Sequence, residues 1–327
     1  MKTLLLAAAA AGLATAALAQ APAAPRPVEP PSNTQTGVSI NRYIGDASKS
    51  PATVYLDTMM KHTILTAGDP LQPGPDGAVL RRRKDISLLT LEGGENSSLG
   101  RSADQMVFYV EAGTGRLDDG KSSWPLKPGV LALAPPGVGH RFHNTGDTQL
   151  KIISVTIPVE ARVTPKTEMI VRDVDKMAMT ERNVHWSNMA KYVLVGERDG
   201  LFPSDRVYLV YMSPMTIAGP HAHTPDQEEV WIKVTEGASI MQLGSEIRPW
   251  PVNAGFLAPP NGQTVHAAYN LADHRQAWLY VARLNADPPA TPPTPQPGRE
   301  PPPAIAEGLA ASNIAPTPLN PPATPRR

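Results

Sequence analysis

Two stretches about 125 residues apart carry the same order of residues: Pro128-Gly-Val-Leu-Ala-Leu-Ala-Pro-Pro-Gly137 and Ala254-Gly-Phe-Leu-Ala-Pro-Pro-Asn-Gly262. Other signals repeat with them. Asp104-Gln105 precedes one central apolar run and Asp226-Gln227 the other, and Lys61-His-Thr-Ile-Leu65 echoes Lys191-Tyr-Val-Leu194. A chain that reuses one ordered set of signals at a fixed period reads as two copies of one unit. The seam is expected at 160–170, where Pro158 and Pro165 punctuate the chain.

Each copy is built from short β-rich runs. They include 86–91, 106–110, 130–133 and 150–157 in the first copy, and 207–211, 230–234 and 277–281 in the second. Gly, Pro, Asp and Asn separate them. Many short strands at regular spacing predict an all-β sandwich or barrel. The exceptions are helices expected near Ala47–Lys61 and Val174–Met189.

The ends read differently. Met1-Lys2, an apolar Leu/Ala run to Ala16 and the small-x-small Ala17-Leu18-Ala19 have the form of a signal peptide, with cleavage expected before Gln20. The run is short of the ~20 apolar residues a membrane span needs. Five of the 37 prolines fall in 20–35 and fourteen in 288–327, so both segments are expected to be extended and largely disordered. The domain reading is therefore signal peptide 1–19, Pro/Ala-rich linker 20–37, a first barrel at 38–163, a second at 164–287 and a Pro-rich tail at 288–327. The mature protein is expected in the periplasm or secreted, with no membrane insertion after cleavage.

Composition narrows the function classes. Lys+Arg and Asp+Glu both number 30, and this neutrality argues against a nucleic-acid partner held by phosphate attraction. The chain has no cysteine, which removes disulfides, thiolate metal sites and Cys nucleophiles. The basic run Arg81–Lys84 reads as a solvated strand edge that discourages edge pairing. His62, His185 and His274 read as loop or surface residues.

The chemistry concentrates between Gly219 and Asn270. His221 and His223 are two apart, so on a strand they point to the same side. After a turn containing Pro225, Glu228-Glu229 opens the next apolar run, and an antiparallel return brings a carboxylate opposite the histidines. Pro260-Asn-Gly262 then leads into a run that carries His266 toward the same interior. Three imidazoles and a carboxylate suit Mn, Fe, Ni, Cu or Zn. If Val230, Ile232 and Val234 face the core, Glu228 is in phase with them. Glu228 is therefore the expected ligand, with Glu229 in reserve.

These residues resemble the cupin superfamily, whose first motif is Gly, five residues, His-x-His, three or four residues, Glu, six residues, Gly. Its second is Gly, five residues, Pro-x-Gly, two residues, His, three residues, Asn. The first motif's leading Gly spacing is lost at Gly219-Pro220, and small length changes surround Glu228 and Pro260. The resemblance implies two tandem jelly-roll (double-stranded β-helix) barrels, and His221, His223, a glutamate and His266 as ligands of one divalent transition metal: Cu, Zn, Mn or Fe. Gly129 to Asn144 fits the second motif without gaps and includes His140, with His143 close by. The first copy has Asn96–Arg101 in place of His-x-His and Asp104, Gln105 or Met106 in place of Glu. The first barrel is thus expected to be a metal-free scaffold or binding pocket.

Within that family the expectation is a metal-dependent enzyme, oxygenase-like, on a small organic substrate. The alternative is a periplasmic binding or structural protein without catalysis. Tyr208 or Tyr211 and Trp278 or Tyr280 are candidates to line the pocket, and homo-oligomerisation is left open.

Overall fold

The computed structural model describes residues 38–179, 181–184, 188–284 and 310–319. The leader, the 20–37 linker and His185 lie outside them. The described chain is almost entirely β. Among the described residues the helices expected at 47–61 and 174–189 are absent: each region opens with a single 3-10 turn, Ala47–Lys49 or Val174–Lys176. Strands follow at Ala52–Tyr55 and Met59–Ala67, and at Glu181–Val184 and Asn188–Val195. Sheet pairing outweighs local helix propensity there.

Each barrel is a pair of sheets. In the N-terminal one, an eight-stranded sheet centred on Gln105–Ala112 and Leu150–Ile157 faces a five-stranded sheet containing Gly115–Asp118 and Gly139–Asn144. In the C-terminal one, a seven-stranded sheet centred on Glu228–Lys233 and Gln276–Arg283 faces a four-stranded sheet holding Ile217–His221 and His266–Asn270. One buried cluster joins Ile86, Val107, Leu131 and Val155 of the first barrel to Val207, Val230, Ile232 and Val281 of the second. A separate cluster with Phe108, Leu117, Trp124 and Phe142 fills the N-terminal barrel. The central strands are therefore buried on both faces. All six residues of Glu228–Lys233 are buried.

The sheets do not divide at 163/164. Ile44–Asp46 joins the C-terminal sheet, pairing with Ala254–Leu257. Ile170–Asp173 joins the N-terminal sheet, pairing with Val130–Ala134. The two copies thus trade one strand each. Gly45 makes the crossing possible, because a Cβ there would stand 1.7 Å from the Ile64 carbonyl oxygen.

Within the Pro-rich tail, residues 310–319 are described and lie against the first barrel. Ile314 N–H donates to Val171 O, Thr317–Pro318 pairs with Ser122–Ser123, and Leu319 N–H donates to Lys121 O. These contacts satisfy backbone groups on two strand edges that would otherwise be open.

Candidate metal centre

His221 ends one strand of the four-stranded sheet and His266 begins its neighbour, and the two are paired in register. A register shift lies between Ala218 and His221. This bulge at Gly219-Pro220 accounts for the lost Gly spacing of the first motif, and it lies on an edge strand, where a Pro without a ladder N–H is accommodated. The three imidazole centroids lie 4.2–4.8 Å apart. One ligand atom from each of His221, His223, Glu229 and His266 lies within 4.8 Å of the others. These four residues could hold a metal ion.

The carboxylate that the structure brings to the three histidines is Glu229, where Glu228 was expected. The phase argument placed Glu228 with Val230 and Ile232 correctly but took the wrong core. That face packs between the barrels, where Glu228 meets Arg83. The opposite face, with Glu229 and Trp231, lines the barrel interior. Glu229 Oε1 lies 3.4 Å from His223 Nε2 and 3.5 Å from His266 Nε2, and Oε2 accepts from Tyr208 Oη at 3.3 Å. Trp231 Nε1–H also donates to Oε1.

Nitrogen chemistry fits a metal. His221 Nδ1 lies 3.0 Å from Gly219 O, and His223 Nδ1 lies 3.0 Å from Gln227 Oε1. Donation there leaves each Nε2 lone pair for coordination, the outer-partner pattern of metal-bound imidazoles. Gln227 is held in turn by Thr224 N–H and by the Leu284 carbonyl. The buried Nε2 atoms of His223 and His266 meet only the long 3.4 and 3.5 Å approach of Glu229 Oε1, and His266 Nδ1 has no hydrogen-bond partner. Orphaned buried nitrogens are costly unless something binds them. Burial pushes the His266 imidazole down to about 3, the neutral form that a metal requires. His223 is raised: burial lowers it, but the adjoining Glu229 outweighs that. The Asn261 side chain shapes the preceding turn by accepting from Thr264 N–H at 2.7 Å. Gly262, at φ +73°, donates its N–H to His223 O and so ties the second motif to the first.

Of the candidate aromatics, Tyr208 reaches Glu229 and Tyr280 stacks on Trp231 at 4.4 Å. Trp278 packs deeper, against Trp250, and Tyr211 lies under the Lys191 ammonium. Burial, then Glu229, raises the Tyr208 phenol well above its ordinary value.

The N-terminal barrel repeats the scaffold without the ligands. Met106 pairs with Ala134 as Glu229 meets Ala258, so a thioether occupies the carboxylate position. His140 sits 5.2 Å from Phe108, as His266 sits 5.1 Å from Trp231. Its Nε2 is 2.9 Å from Tyr55 Oη, and burial pushes it down to about 4. His143 is taken by Asn96 and Asp118. The motif asparagines are structural in both copies: Asn144 Nδ2 donates to Leu91 O and Thr148 O, and Asn270 Nδ2 to Met212 O and His274 O. His62 is half-buried on a strand, with Nδ1 3.1 Å from Ser50 O, and His274 lies on an exposed loop beside Asp273.

A model of the cupin domain matches residues 87–156, the heart of the N-terminal barrel. The same two-barrel architecture recurs in a single-substitution variant of Bacillus subtilis oxalate decarboxylase, with TM-score 0.54, 11% identity, and 76% of this chain and 78% of that one covered. Residues 87–156 are thus similar to the cupin domain, and the chain as a whole has the two-barrel cupin fold. Hazelnut (Corylus avellana) vicilin is similar at TM-score 0.53 and 11% identity over 75% of this chain and 86% of that one. An uncharacterized Streptomyces coelicolor protein is 28% identical over 90 residues, which are 26% of this chain and 85% of that protein. At such identities the solved structures share the bicupin fold with this protein, and function must be argued from its site.

Proposed function

We propose that this protein is an exported bicupin whose C-terminal barrel holds one divalent transition metal and uses it as an oxygenase-like enzyme on a small organic substrate. The observation that carries the reading is the convergence of the buried His223 and His266 Nε2 atoms on Glu229 Oε1, at 3.4 and 3.5 Å, too long for good hydrogen bonds. His221, His223, Glu229 and His266 would hold the ion, which supplies Lewis acidity and, if redox-active, electron exchange with substrate and O₂. His221 is the one half-buried member of the set, so substrate approaches from its side. Gln227 and the Gly219 carbonyl keep two imidazoles in the ligating tautomer. The Tyr208–Glu229 bond and the Trp231–Tyr280 stack exclude water from the inner side.

The leader-like residues 1–19 support export. A site filled after export follows affinity, which favours Cu or Zn over Mn or Fe. Burial of His223, Glu229 and His266 favours the second reading, a binding or structural bicupin. Elemental analysis of protein purified from the periplasm, paired with oxygen uptake on phenolic and small diketone substrates, separates the two. About one equivalent of a redox-active metal with turnover supports the enzyme. An inert ion without turnover supports the binding protein.

A further inference from the structure

Glu228 and Glu229 are chemically alike and adjacent, and only one of them faces the histidines. A one-residue slip of their strand would exchange them. What opposes the slip comes from the other barrel. Glu228 Oε2 accepts the backbone N–H groups of Arg81 at 2.6 Å and Arg82 at 2.8 Å, and Oε1 accepts from Arg83 Nη1 at 2.9 Å. Arg83 and Glu228 are both buried. Arg83 Nη2 bonds Asp205 at 3.0 Å, and Arg283 holds Asp205 through two further bonds of 2.7 and 2.9 Å. The Arg81 guanidinium also reaches the Pro225 carbonyl at 3.2 Å. Residues 81–83 therefore grip the middle and the far end of the 223–229 loop, which joins two of the ligands.

We infer that the N-terminal barrel sets the metal centre of its neighbour: the Arg81–Arg83 segment is a positioning element that fixes Glu228 between the barrels and so presents Glu229 to His221, His223 and His266. The inference rests on the metal-centre reading above. It gives the metal-free barrel a task that general adhesion would not require, because the contact falls on the ligand-bearing loop. Removing Arg83 strands a buried carboxylate, whose cost is relieved by moving the strand. Arg83 touches no ligand itself, but losing a ligand's own outer partner weakens metal binding by about 10- to 100-fold, and misplacing the Glu229 strand is expected to cost as much.

The test uses the full chain, stripped with a chelator and titrated with Co²⁺ alone, read by the visible absorption of the bound ion. Wild type is expected to bind about one equivalent. If it binds none, the metal-centre reading fails by itself, whatever the variants do. Arg83→Met is expected to bind about 10- to 100-fold more weakly with shifted absorption bands, and Arg83→Lys to recover part of the loss. Gln105→Ala removes a buried bond between the barrels, from Gln105 Nε2 to Gly200 O at 2.9 Å, without touching the loop, and should bind like wild type. Wild-type affinity and spectrum in Arg83→Met overturn the inference, as does equal weakening in Gln105→Ala. Should Arg83→Met not fold, Glu228→Gln decides, since it keeps the shape of the side chain and weakens the grip of Arg83 and of the Arg81 and Arg82 amides. It is expected to weaken Co²⁺ binding by roughly tenfold, and wild-type binding would overturn the inference.

Discussion

The carboxylates of Glu228 and Glu229 leave one strand in opposite directions, Glu228 onto Arg83 between the barrels and Glu229 to within 3.4 Å of His223 Nε2. Both are buried, and each has a partner suited to its side. Glu229→Gln is therefore expected to lower metal affinity by more than about 100-fold, beyond what loss of an outer partner costs. Glu228→Gln keeps the ligand and should weaken binding by roughly tenfold. Isothermal titration with Zn²⁺ measures both. The reverse ranking would return the ligand to Glu228.

The duplicated β architecture and the three histidines were legible because they rest on local order: repeated turn signals, and a period of two at His221 and His223. The choice of glutamate was not legible. Alternation marks a buried face only when the other face is wet, and every residue of Glu228–Lys233 is buried. Even Lys233 is inside, donating to Trp250 O at 3.0 Å. The basic run at 81–84 misled for a related reason. Lys84 and Arg81 are exposed as expected, but Arg83 is 1% exposed and neutralised by acids 122 and 145 residues away in sequence. Such pairing at long range leaves no local trace. The traded strands Ile44–Asp46 and Ile170–Asp173, likewise, are short and unremarkable until their partners are known.

Gly45 should tolerate no side chain. A Cβ at 1.7 Å from Ile64 O is far inside contact distance, and the obstacle is backbone in a strand paired on both sides. Gly45→Ala is expected to cost about 3 kcal/mol and to lower Tm by roughly 6–12 °C for a unit of this size. Thermal unfolding followed by circular dichroism measures it. A Tm within a degree of wild type would show that the traded strand shifts freely.

Glu111 makes stability depend on pH. Burial, against the opposing pull of Lys151 and an Asn253 hydrogen bond, pushes its carboxyl up to about 7 from the ordinary 4.5. Oε2 is buried without a partner, and Oε1 receives Asn253 Nδ2 at 3.3 Å. The folded state thus prefers the protonated acid. Below pH 4.5 both states are protonated and Glu111 costs nothing. Between 4.5 and 7 the unfolded chain ionises first, and stability falls as pH rises, by roughly 2–3 kcal/mol in total. Glu111→Gln, neutral at every pH, should therefore be more stable than wild type at pH 8 and equal to it at pH 4.5. Urea unfolding at the two values checks this, and equal midpoints at pH 8 would show the carboxyl to be hydrated.

The strap at 310–319 covers two edges of the N-terminal barrel. Asn313 bridges to Arg172, whose Nε donates to its Oδ1 at 3.3 Å, and Thr317–Pro318 extends the sheet beyond Ser122–Leu126. Uncovering those edges leaves N–H and C=O groups able to pair with another chain. The strap also walls a cleft of about 1460 Å³, together with Arg101, Trp124 and Pro165. Ending the chain at residue 309 is expected to lower Tm by about 4 °C and to produce concentration-dependent oligomers. The strap's bonds fall on Lys121–Ser123, Val171 and Arg172 and on none of the metal-centre residues, so Zn²⁺ affinity should change by less than about twofold. Light scattering across a dilution series and a parallel Zn²⁺ titration measure both effects. A truncated protein that stays monodisperse with unchanged Tm would mean that the strap adds nothing to the barrel it lies on.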